Sequence, residues 1–125
     1  LDPAESCDGP VLDTTIAGVR GSLAGLVSDV QVSCGWAGPL PADGTYTLHV
    51  PAGGEVEITA AWEGGGTLQL LDRCEDPSSV LATGTARRSG ASAPLVWRNR
   101  EAVDRTYTLR LAGTEEPFSV AIRRR

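Results

Sequence analysis

In Thr45–Val50, TYTLHV, the large apolar residues Tyr46, Leu48 and Val50 occupy every second position. Thr106–Leu111, TYTLRL, repeats the arrangement 61 residues later with Tyr107, Leu109 and Leu111. Successive side chains of an extended strand leave on opposite faces, so a period of two makes one apolar face and one wet face. Tyr, Thr and Val also suit a pleated, half-buried surface. Each run is followed by a turn and a second alternating run: PAGG then EVEITA, with Val56 and Ile58 on one face, and AGTEE then PFSVAI, with Phe118, Val120 and Ile122. Each unit reads as a β-hairpin with a Gly-containing connection. The echo reads as two similar edges of one sheet system, because the sequence between the copies does not recur.

The rest of the chain follows the same period. VLDTTIAGV (11–19), VQVSC (30–34), TLQLLD (67–72), VLATGTA (80–86) and PLVWRN (94–99) are strand candidates, and no segment sustains a helical period. GPLPADG (38–44), EGGG (63–66) and RCEDPSS (73–79) carry turn chemistry, and RNREAVDR is a polar connector. About nine short strands with regular turn signals predict an all-β, two-sheet antiparallel sandwich of jelly-roll type. Its expected core is Tyr46, Leu48, Val56, Ile58, Leu68, Leu70, Trp97, Tyr107, Leu109, Phe118, Val120 and Ile122. Residues 1–10 read as an N-terminal arm and 11–125 as a single domain, a length that buries enough surface for a core without metal.

Charge narrows the function classes. Residues 1–62 carry a net −7 and residues 63–125 a net +2, giving −5 overall, and every basic residue is Arg. A net acidic chain is a poor nucleic-acid ligand, so no nucleic-acid partner is expected. No apolar run is long enough for a transmembrane segment. The chain contains no Met, and Leu1 reads as a processed end from which an export signal has been removed, so a secreted, periplasmic or cell-surface location is expected.

The sequence offers little for catalysis. His49 is the only histidine and falls on the wet face of its strand, and no nucleophile elbow, zinc-binding helix or phosphate loop is present. Glu55 and Glu57 share the solvated face of one strand. Asp72, Glu75 and Asp76 are weak candidates for Ca²⁺, which needs six to eight oxygens, and Arg73 stands among them. Trp36, in the loop CGWAG, and Trp62, before a Gly run, are candidates for stacking on a sugar ring; capping an open end of the sandwich is the competing role. The expectation is therefore no enzyme, no catalytic residue and no cofactor beyond those calcium candidates.

The order of motifs carries a resemblance. An early Cys is followed by a second Cys before a Pro-Asp-Gly loop, then by TYTLHVPAGGEVEITAAW, LQLLDRC, an Asp-Pro-Ser turn, LVWRN and the TYTLRL…FSVAI unit. Over about residues 7–123 this resembles bacterial pre-peptidase C-terminal (PPC-type) domains, related to the collagen-binding-like domains of secreted bacterial proteins. The resemblance implies a jelly-roll-like sandwich, often beside a catalytic domain, that is itself a non-catalytic accessory module. Collagen-binding relatives hold calcium on acidic residues near the N-terminal linker, where this chain has Asp8 and Asp13 without an acidic cluster around them. The function expected is an exported interaction or assembly module with a protein partner or oligomer. The alternative is a carbohydrate- or matrix-polymer-binding module, Ca-assisted in one form, which needs Trp36 and Trp62 exposed on one face.

Three cysteines in an exported chain leave one over. A Cys7–Cys34 bridge is expected, since it would tie down an arm with little apolar anchoring, and the resemblance favours the same pair. Cys74 is then free or bonded to another chain; Cys34–Cys74 with Cys7 free is the alternative.

Overall fold

The computed structural model describes residues 2–4, 7, 9–12, 19–24, 42–62, 64–76, 78–86, 95–114 and 117–124. Nine strands lie among them: β1 (Val11–Leu12), β2 (Val19–Gly21), β3 (Ala42–Val50), β4 (Glu55–Trp62), β5 (Gly66–Leu71), β6 (Val80–Ala86), β7 (Leu95–Arg98), β8 (Arg105–Gly113) and β9 (Phe118–Arg124). They form two sheets, one ordered β1-β3-β8-β5-β6 and the other β2-β9-β4-β7. All pairings are antiparallel except the short β1–β3 contact. The all-β sandwich expected from the alternation is the observed fold. The strand candidate at 30–34 lies outside the described residues.

The two echoing stretches are partners. β3 and β8 pair antiparallel over their full length, with Tyr46 opposite Leu109 and Leu48 opposite Tyr107. Their apolar faces therefore merge into one surface. The expected hairpins do not form: β3 and β4 lie in different sheets, as do β8 and β9. PAGG carries the chain from one sheet to the other, so that β4 faces the larger sheet instead of lying beside β3, and its Trp62 reaches Gly66 of β5 and Gly113 of β8. Period-two sequence is identical in the two cases, because it fixes which face is apolar and not which sheet the strand joins. Among these strands only β5 and β6 are sequential neighbours in one sheet. Ala42–Gly44, read as loop, extends β3 and pairs with Leu111–Gly113.

The core sits between the sheets. Tyr46, Leu48, Val56, Ile58, Leu68, Leu70, Tyr107, Leu109, Phe118, Val120 and Ile122 are all buried in it. Trp97 departs from the expectation: it packs against the core from its margin and is half-buried. Burial holds the Tyr46 phenol above the usual tyrosine range, and the charge of Asp2 adds to the shift, so this ring stays neutral.

The outward side of the larger sheet is not uniformly wet. Thr45, Leu71 and Thr108 are buried there, opposite in direction to Tyr46, Leu70 and Leu109. The N-terminal arm explains this. Ala4 exchanges backbone hydrogen bonds of 3.0 and 2.8 Å with Thr45, and Thr47 donates from its amide to Pro10 and from its hydroxyl to Gly9. The arm comes so close at Gly9 that a Cβ there would lie 2.1 Å from the Thr45 carbonyl oxygen. Cys7 is disulfide-bonded to Cys74, in the loop after β5, with a Cα–Cα distance of 5.6 Å. The arm thus reaches from β3 to the end of β5, with β8 between them, and a span over the outward side accounts for the burial of Thr45, Leu71 and Thr108.

This bond corrects both cysteine assignments: Cys7 is not bonded to Cys34, and Cys74 is neither free nor available to another chain. The sheet order brings the end of β5 within reach of an arm 67 residues away, a proximity that spacing along the chain does not contain. Cys34 lies outside the described residues.

Candidate functional site

β6 and β7 are edge strands on the same side of the sandwich, one in each sheet. A cleft of about 550 Å³ opens at the end of β7, where β5 finishes and β6, β4 and β8 begin; Leu81, Trp97, Arg98, Asn99, Arg100 and Tyr107 are among its walls. β7 alternates, with Leu95 and Trp97 turned toward the core and Val96 and Arg98 toward solvent. Four residues of an edge strand cannot enclose a ring as large as indole, so Trp97 stays at the mouth. Its ring meets Tyr107 edge-on, with centroids 6.2 Å apart. The Trp97 indole Nε1 is buried and has no hydrogen-bond partner among the described residues.

The connector after β7 is shaped by Asn99, which is 1% exposed. Its Nδ2 donates to the carbonyls of Val103 (2.9 Å), Val50 (3.2 Å) and Pro51 (3.3 Å), while its Oδ1 accepts from the Glu101 amide. Its own amide donates to Gly54. One side chain therefore joins the β3–β4 crossing to the β7–β8 crossing and fixes the rim of the cleft. Read as part of a polar connector, Asn99 carried only one signal in the sequence: an amide directly after an apolar strand. Asn99→Ala leaves several buried groups unpaired and is expected to cost about 1–3 kcal/mol in urea-denaturation midpoints.

Arg105 completes the rim. It donates to Asp72 at 2.7 Å, and its Nε lies 3.0 Å from Glu101. The hydrogen bond to Asp72, then the charge of Glu101, favours the charged guanidinium. Arg105 is thus held by protein carboxylates. Arg98 and Arg100, both exposed, have no ion pair among the described residues.

The residues singled out from the sequence fall elsewhere. Trp62 is 1% exposed and packs against Phe118, which removes it as a stacking platform. It ends a strand whose inward face it shares with Val56, Ile58 and Ala60, and that parity buries it. Trp36, Asp8 and Asp13 lie outside the described residues. The calcium candidates do not converge. Asp72 pairs with Arg105; Asp76 pairs with Arg73 at 3.1 Å and accepts from the Ser78 amide; Glu75 is exposed. Among the described residues no three His, Cys, Asp or Glu side chains are grouped to hold a metal. The hydrogen bonds from Ser78 hold the Asp76 carboxyl below its ordinary value, so its stabilising effect on this turn is present above that ordinary value and fades as pH falls further. His49 is exposed, and its Nδ1 lies 2.9 Å from the Thr106 hydroxyl on the neighbouring strand.

Comparison with known proteins places the architecture. No protein-family model matches the chain, and no curated protein does. Among solved structures, the pre-peptidase C-terminal domain of collagenase from Bacillus anthracis superposes with a TM-score of 0.54 at 17% identity, covering 85% of this chain and 87% of that one. CsCBM6-3 from Clostridium stercorarium, solved with cellobiose, gives a TM-score of 0.42 at 18% identity, covering 68% of this chain and 67% of that one. The likeness expected from the order of Cys, Tyr-strand and Trp motifs is therefore present in three dimensions, and the chain has the fold of a pre-peptidase C-terminal-type β-sandwich.

Proposed function

We propose that this chain is a non-catalytic, exported binding module that docks on another protein as an accessory unit of an extracytoplasmic assembly. One observation carries the reading. Of the three large hydrophobic residues exposed among the described residues, one, Val96 (39%), is a wall of the cleft, and another, Val103 (60%), lies in the connector that follows β7. Val96 lines it and Val103 belongs to the connector that Asn99 anchors. Beside them stand Trp97, Tyr107, Arg98 and Arg100. Trp, Tyr and Arg around an apolar centre are the residue types that dominate protein–protein binding energy. The Cys7–Cys74 bond supports an oxidising compartment. The isolated position of His49 supports a role without catalysis. The structural neighbour from Bacillus anthracis is itself one domain of a collagenase, which supports an accessory role.

The test is recovery of the native partner with tagged protein expressed in the exporting cell. Wild type should retain at least about tenfold more of it than a Val96→Asp/Val103→Asp variant of unchanged melting temperature. A monodisperse monomer with no associated protein, or binding to a soluble polysaccharide that both forms share, would overturn the reading.

A further inference from the structure

We propose that the Cys7–Cys74 disulfide is a redox-sensitive latch: reduction by a dithiol frees the arm at Cys7 and uncovers Leu71 and Thr108, while the sandwich beneath stays folded. The inference does not rest on the docking reading above. It starts from a residue buried outside the core. Leu71 is 0% exposed, yet it is not a member of the hydrophobic cluster between the sheets. Its neighbour Leu70 points into that cluster, whereas Leu71 shares the outward row of Thr47 and Thr108. What covers this row reaches it from outside the sandwich. The arm does so at Cys7, which is bonded to Cys74, three residues beyond Leu71.

Both ends of the bond sit in elements that hold their own shape. The arm is fixed to β3 on either side of Cys7: Ala4 exchanges backbone hydrogen bonds with Thr45, and Thr47 donates to Gly9 and Pro10. Further out, Asp2 accepts from the Ser22 amide and Leu12 lies in the core. The loop after β5 is closed on itself. The Asp72 amide donates to the Ser79 carbonyl, the Ser79 amide to the Asp76 carbonyl and the Arg73 amide to the Ser79 hydroxyl, each at 3.0 Å. None of these bonds involves the disulfide. Cutting it leaves the arm's two attachments and the loop in place and removes only the tie between them across β8. The bond is also open to attack. Cys7 is exposed and Cys74 half-buried, so an incoming thiolate reaches the Cys7 sulfur first. One thiolate of the dithiol bonds to Cys7 Sγ and expels the Cys74 thiolate, which takes up a proton. The second thiolate of the dithiol then displaces the Cys7 sulfur, which is protonated in turn, and closes the reagent's own disulfide. Two electrons and two protons pass from the dithiol to the cysteine pair. An oxidising compartment keeps the latch closed, and a dithiol opens it.

The test uses Cys34→Ser protein labelled on its leucine methyl groups, in which Cys7 and Cys74 are the remaining cysteines. Wild type with Cys34 alkylated before reduction serves equally. Methyl NMR with a dissolved gadolinium chelate reads solvent access at Leu71 and, as the inward control, at Leu70. With excess dithiothreitol the paramagnetic relaxation enhancement at Leu71 should rise severalfold while that at Leu70 stays unchanged, a local opening of the arm and not of the fold. Removing the dithiol under air should restore the first value. Cys7→Ser/Cys74→Ser in the same background should show the open value with and without dithiothreitol. A Leu71 enhancement that reduction leaves unchanged overturns the inference and makes the bond a staple only. A rise at Leu70 and Leu71 together overturns it as well, since the whole sandwich then opens, and so does a bond that dithiothreitol does not cleave without denaturant.

Discussion

Trp62→Ala is expected to lower the free energy of unfolding by about 3–5 kcal/mol, among the largest effects of any single truncation in the chain. Trp62 belongs to the smaller sheet, but its ring crosses the sandwich to the larger one. It lies 5.1 Å from Phe118 by ring centroid, and Phe118 in turn meets Tyr46 edge-on at 6.4 Å. The ring seats against Gly66 and Gly113, which face each other in the β5–β8 register. A Cβ at Gly66 would lie 2.5 Å from the indole and 2.7 Å from the Ala112 carbonyl oxygen, and one at Gly113 would lie 3.2 Å from the indole. The two glycines thus make the recess that the tryptophan fills. Removing the ring leaves a cavity that a β-sandwich core cannot close by collapse. Gly66→Ala should cost about 1–3 kcal/mol by the opposite route, overpacking. Urea unfolding followed by circular dichroism measures both; a loss below about 1 kcal/mol for Trp62→Ala would contradict the packing described.

Loss of the Cys7–Cys74 bond is expected to cost about 4 kcal/mol, the chain-entropy value for a loop of this length. The bond closes 67 residues of chain. It is also the strongest attachment of an arm otherwise held by the Ala4–Thr45 pair and the bonds from Thr47. A Cys7→Ser/Cys74→Ser variant should therefore unfold at lower urea, and wild type in reductant should match it. Peptide mapping under non-reducing conditions should recover Cys7 and Cys74 in one linked pair. Alkylation of both thiols in the unreduced protein would contradict the assignment.

The cleft end of the molecule is the least legible part of the sequence. Trp97 reads as core because it sits in PLVW, a run with no polar residue, yet among the described strands β7 is a sheet edge, and Trp97 is half-buried there. Trp62 was the reverse, read as a candidate for exposure because glycines follow it, whereas Gly66 and Gly113 form its seat. Asn99 looked like any polar connector residue, and the carbonyls it gathers come from positions 50, 51 and 103.

What the sequence by itself determined was the face of each strand. The alternation in TYTLHV, EVEITAAW, TLQLLD, TYTLRL and FSVAI placed eleven of the twelve expected core residues inside, because burying an apolar face outweighs any other local preference in a strand. What only the tertiary structure decided was which strands are neighbours. β3 pairs with β8 and not with β4, Cys7 meets Cys74, and the ends of β5 and β7 join with the start of β8 in one cleft. A strand's pattern records its own two faces and is silent about its two edges. Those edges are satisfied by backbone hydrogen bonds that every residue offers alike.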